Sequence, residues 1–87
     1  MKFMGTVTVA LKEGIFDPQG AAVKGSLDAL GYAQVQRVRM GKDIVIALEA
    51  ASIEEANSLL DEMARKLLAN PVTEVYRIAV QEAGERP

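Results

Sequence analysis

Leu11-Lys12-Glu13-Gly14-Ile15-Phe16-Asp17-Pro18-Gln19-Gly20 joins an alternating segment to the start of a helix, and the fold class follows from that junction. Asp17 suits the N-cap, and Pro18 suits the first helical position, where its missing N–H would have no intrahelical partner anyway. Upstream, Phe3, Val7, Val9 and Leu11 alternate with Met4, Thr6, Thr8 and Ala10, which is the period of a strand rich in β-branched residues. Downstream, Val23, Leu27 and Leu30 repeat at helical spacing, Ala22, Ser26 and Ala29 form a small-residue row, and Gly31 is placed to end the helix. The chain therefore opens strand, loop, helix.

Two further strand patterns, Val35 to Met40 and Asp43 to Glu49, flank Gly41-Lys42 and predict a hairpin with a type II′ turn. Ser52-Ile53-Glu54-Glu55 is a capping box, in which Glu55 is expected to reach back to the Ser52 N–H. It starts a helix whose predicted buried stripe is Ile53, Ala56, Leu59, Leu60, Met63, Ala64 and Leu67, with Asn70-Pro71 as the stop. Tyr76, Ile78 and Val80 alternate in a last strand. The order β-α-β-β-α-β predicts an α+β two-layer sandwich, an antiparallel sheet with both helices on one face in a ferredoxin-like arrangement. One domain is expected over 1–82, with a frayed charged tail over 83–87.

Of the 87 residues, 49% are apolar and 25% charged, which supports a buried core and not a disordered chain. The net charge of −2 argues against a nucleic-acid partner. Cysteine is absent, which excludes disulfides and thiolate metal sites and suits a cytoplasmic location, and no apolar run is long enough to predict a membrane helix. The outward sheet face, with Met4, Thr6, Thr8, Ala10, Val45, Ala47, Val75 and Ala79, is small or apolar, so a homo-oligomer, dimer or tetramer, is expected.

Catalytic chemistry finds little to use in these residues. There is no histidine for general acid–base work, and Glu54, Glu55, Asp61 and Glu62 fall on what should be a solvated helix face, so no catalytic residue and no metal site are expected. Gly41-Lys42-Asp43 lacks the context of a phosphate loop. The hairpin has no aromatics with which to stack RNA bases, and Glu13-Gly14-Ile15-Phe16 is not the Arg-bearing loop of an acylphosphatase-like enzyme. Arg37 and Arg39, two apart, are expected on one sheet face with Lys42 nearby. Gly20 is not explained by capping, because glycine inside a helix costs about 1 kcal/mol relative to alanine; close approach by another chain would account for it.

The Leu11–Gly20 junction resembles the corresponding loop and helix start of the PurS family. So does Val35-Gln36-Arg37-Val38-Arg39-Met40-Gly41-Lys42, where that family has a V-R-x-G-K pattern, and so does Lys66-Leu67-Leu68-Ala69-Asn70-Pro71-Val72-Thr73-Glu74-Val75-Tyr76. The resemblance implies a noncatalytic small subunit of phosphoribosylformylglycinamidine synthase, an ATP- and glutamine-dependent ligase of purine (IMP) biosynthesis. Such a subunit bridges a glutaminase (PurQ) and a large synthetase (PurL) and supports ammonia transfer between them. ATP and Mg would be used by the large subunit, with no cofactor bound by this chain alone. The residues expected to make subunit contacts are Asp17, Pro18, Gln19, Gly20, Arg39, Lys42, Asn70, Pro71, Glu74 and Tyr76. An alternative from the element order alone is an amino-acid-sensing regulatory domain.

Overall fold

The computed structural model describes residues 1–83. Strand β1 (Lys2–Leu11) is followed by helix α1 (Pro18–Ala29), strand β2 (Gly41–Glu49), helix α2 (Ile53–Met63), a π-helical turn (Ala64–Leu68) and strand β3 (Glu74–Glu82). β1 lies in the middle of an antiparallel sheet of order β2-β1-β3, so the fold is α+β as expected. Val7 stands opposite both Ile44 and Ile78, and this register puts the apolar residues of all three strands on one face.

That face carries the core. Phe3, Val7 and Val9 are buried, as the alternation predicts, together with Ala56, Leu60 and Ala64 of the second helical segment. α2 packs across β1 and β3. Its N-terminus is closed by Ser52, whose Oγ accepts from the Glu55 N–H at 3.1 Å, while the Glu55 carboxylate accepts from the Ala51 N–H at 2.6 Å, one residue earlier than the capping box predicts. Gly5 lies directly under Leu60, where a Cβ would strike the Leu60 methyl groups.

Three expectations are corrected. Val35–Met40 is not a strand and forms no hairpin with β2, so the order among the described residues is β-α-β-α-β with three strands. A type II′ turn needs a positive φ at its first central residue, whereas Gly41 already belongs to β2, pairs with Ala10, and is not among the positive-φ glycines, Gly14 and Gly31. A Cβ on Gly41 would sit 2.7 Å from the Val9 carbonyl oxygen, so the glycine serves close strand approach and not a turn.

The second correction concerns α1. It begins at Pro18 and ends before Gly31 as predicted, yet Gly20 is its only buried residue, and it does not form a layer on the sheet beside α2. The molecule is accordingly extended, with a radius of gyration of 16.7 Å, against about 12 Å for a compact chain of this length.

The third concerns the two ends of the predicted stripe, where Ile53 is 44% and Leu67 81% exposed. The Ala69 N–H donates to the Ala64 carbonyl, an i to i+5 bond that widens the turn and shifts the helical phase, so Leu68 and Ala69 pack against the core in place of Leu67. Ala83 still donates to the Lys2 carbonyl at 2.8 Å. The rest of the expected tail, 84–87, lies outside the described residues.

Candidate functional site

The loop after β1 is built around Asp17. Its Oδ1 accepts from the Gly20 N–H at 2.8 Å, the N-cap bond of α1, and its Oδ2 accepts from the Met40 N–H at 2.6 Å. The side chain is 6% exposed. The Met40 N–H first, then the Gly20 N–H and the neighbouring Arg39 charge, hold its carboxyl below the usual 3.8. One carboxylate thus caps the helix and grips the segment that returns toward β2.

Gly20 is explained by the same return. A Cβ there would collide with the Val38 carbonyl oxygen, so the close approach expected from another chain is made by this chain's own backbone. Arg39 donates from Nη1 to the Ile15 carbonyl at 2.9 Å and from Nη2 to the Lys12 carbonyl at 3.1 Å. Arg37 pairs with Glu13 at 3.2 Å in the open. The two arginines share the 12–15 loop as a target and not a sheet face.

The segment before β3 docks against the same loop. The Lys12 Nζ donates to the Pro71 carbonyl and the Lys12 N–H to the Thr73 carbonyl, both at 2.9 Å. Asn70 and Glu74 close their own turn: the Asn70 N–H donates to Glu74 Oε1 at 2.7 Å, and the Val72 N–H to Asn70 Oδ1 at 2.9 Å. An open cleft of about 290 Å³ lies at this end of the sheet, with Asp17, Gln19, Lys42 and Glu74 around a floor that includes Val9 and Leu11. Exposed apolar side chains rim the same end, Phe16 and Val72 each at 75% exposure.

Tyr76 stands apart. Its hydroxyl donates to Asp61 Oδ1 at 2.6 Å, and Asp61 Oδ2 accepts from Arg65 Nε at 2.9 Å, which fastens β3 to the end of α2. The Tyr76 bond, then that of Arg65, lowers the Asp61 pKa; the same bond to Asp61, followed by burial, raises that of Tyr76. The other predicted contact residues gather at the sheet end, through Asp17, Lys12 and the cleft. Sequence reasoning missed Asp61, which looks like an ordinary charge on a wet helix face, and no spacing rule links it to a tyrosine across a turn. It also missed the rim residues Phe16 and Val72, whose exposure depends on how the loops fold.

This end can bind and position; it offers no nucleophile with a base beside it. Among the described residues no cluster of three metal-ligating side chains occurs. Residues 5–82 match the family described as "PurS: Phosphoribosylformylglycinamidine (FGAM) synthase". The chain belongs to the PurS family. It is 45% identical to the phosphoribosylformylglycinamidine synthase subunit PurS of Bacillus subtilis over 87% of this chain and 89% of that protein. The same subunit of Archaeoglobus fulgidus is also 45% identical, over 87% and 95%. Among solved structures, PurS of Thermus thermophilus superposes with a TM-score of 0.89 at 42% identity, covering 97% of this chain and all of that one. A chain of the PurLQS structure from Thermotoga maritima superposes at 0.86 with 27% identity, covering 93% and 99%. The three-stranded sheet with two helices is thus the fold of PurS-family structures.

Proposed function

We propose that this chain is the small, noncatalytic subunit of a three-part phosphoribosylformylglycinamidine synthase in purine biosynthesis. It bridges the glutaminase and the ATP-dependent synthetase and supports the passage of ammonia between them. The observation that carries this reading is the match over residues 5–82 to a family whose relatives bear that subunit's name. The likeness to a chain of the Thermotoga maritima PurLQS structure extends it to the two partners. The Leu11–Gly20 loop supports the reading: it holds Arg39 through the Ile15 and Lys12 carbonyls and the segment before β3 through Lys12, and it leaves Phe16 exposed beside them. ATP and Mg belong to the large subunit in this reading, and the cytoplasm is its place; no helix among the described residues is long and apolar enough to cross a membrane.

Self-association belongs to the same reading. The sheet face away from α2 exposes Val45 at 63% and Val75 at 49%, beside Ala47 and Ala79, a surface suited to another copy of the chain. The regulatory-domain alternative rested on a four-strand element order, whereas the described residues form a three-stranded sheet. Mixing the purified chain with the large and glutaminase subunits is expected to restore glutamine-dependent turnover in proportion to added chain, up to a fixed stoichiometry. Turnover that does not respond to the chain would overturn the proposal.

A further inference from the structure

A helix that lies clear of its sheet has to be aimed by something other than packing, since burial of an apolar face is what ordinarily sets a helix in place. In α1 full burial is limited to Gly20 at its first turn, and Val23 and Leu27 further along are half-buried. At the far end the hydrogen bonds stay local, with the Tyr32 N–H on the Leu27 carbonyl and the Val35 N–H on the Tyr32 carbonyl. The polar ties between α1 and the returning segment are gathered at its start, through Asp17.

Three observations meet there. The two oxygens of Asp17 hold the Gly20 N–H and the Met40 N–H at once. Gly20 has no side chain where the Val38 carbonyl passes. Arg39 is anchored on the Ile15 and Lys12 carbonyls, so the returning segment is also tied to the loop that leaves β1. We propose that Asp17 and Gly20 form a positioning joint, in which one carboxylate grips the first turn of α1 and the returning segment together and so sets the angle at which both stand away from the sheet. These are positioning residues and not catalytic ones; their use in subunit assembly rests on the proposed subunit role.

The joint is chemically demanding. Asparagine would keep one acceptor but turn an N–H₂ group toward one of the two N–H donors. Alanine at position 20 would push a methyl group into the Val38 carbonyl and to within 2.8 Å of Asp17 Oδ2.

Because the chain contains no cysteine, thiols introduced by Ala29→Cys on α1 and Arg77→Cys on β3, both exposed positions, can carry a pair of spin labels. Diluted into unlabelled chain, the parent is expected to give one narrow label-to-label distance distribution. Asp17→Asn and Gly20→Ala should each broaden or shift it, with circular dichroism unchanged in the strand region. The double variant should be no broader than the worse single one, since both break the same joint. A parent-like distribution in both single variants would overturn the joint, as would additive broadening in the double variant. In the three-subunit mixture, Asp17→Asn is expected to raise the concentration of chain needed for half-maximal glutamine-dependent turnover by about tenfold, with the same maximum. A lowered maximum at an unchanged midpoint would contradict a positioning role. If the parent chain itself supports no turnover, the subunit reading fails while the distance measurement still decides the joint.

Discussion

The two helices start alike and end in different situations. Each begins with a side-chain oxygen on the N–H three residues ahead, Asp17 on Gly20 and Ser52 on Glu55. α2 then lays Ala56 and Leu60 on β1 and β3, whereas α1 leaves Val23 and Leu27 half-buried and Leu30 exposed. Local capping is therefore enough to start a helix and insufficient to place it. Placement comes from burial in α2 and from polar grip at one end in α1.

The largest test of this contrast is a pair of leucines. Leu60→Ala, at a fully buried position, is expected to cost about 3 kcal/mol in urea unfolding. Leu27→Ala on α1 should cost less than about 1 kcal/mol. A cost at Leu27 close to that at Leu60 would break the comparison and show that another copy covers α1 in solution.

Glycines give the next contrast, with opposite signs. Gly5→Ala drives a methyl group into Leu60, which is fully buried, and should destabilise by about 1–3 kcal/mol. Gly25→Ala, in α1 with nothing within 4 Å of the added carbon, should stabilise by about 0.5–1 kcal/mol. Thermal unfolding of both variants decides it, and a loss at Gly25 would mean that α1 is packed after all.

The smallest expected effect is on acid. Asp17 is held below its usual 3.8, so its contribution to stability is complete above that value and lost as pH falls through the lower folded one. Nuclear magnetic resonance should show the Asp17 carboxyl and the Met40 amide shifting together below pH 3.8, while amides of β1 and α2 are still protected. A titration at or above the usual value would mean that the grip on Met40 is open in solution.

Much of this was legible in the residues. The alternation of Phe3 to Leu11 separated buried from outward positions on β1, Asp17-Pro18 marked the first turn of α1, and Ser52 with Glu55 marked that of α2. These signals are local, so neighbours in the chain suffice to read them. Val35–Met40 misled because an alternating pattern says which faces a strand would have and not whether a neighbour is there to pair with it. Its Met40 N–H is taken by Asp17 instead, a bond across 23 residues. At the candidate site the residues were legible and their partners were not: Gly20 asked for a close approach, but only the fold shows that Val38 makes it. The detached stance of α1 had no signal in its own apolar row, which looks the same whether covered or bare.

The wide turn at Ala64–Leu68 changes how this chain can vary over time. Before it, inward positions are counted in one frame, through Ala56, Leu60 and Ala64; after it they are counted in another, through Leu68 and Ala69. The turn works as an expansion joint between helix and strand. A chain shorter by one residue there is expected to return the turn to ordinary α-helical pitch and to keep β3 aligned with β1.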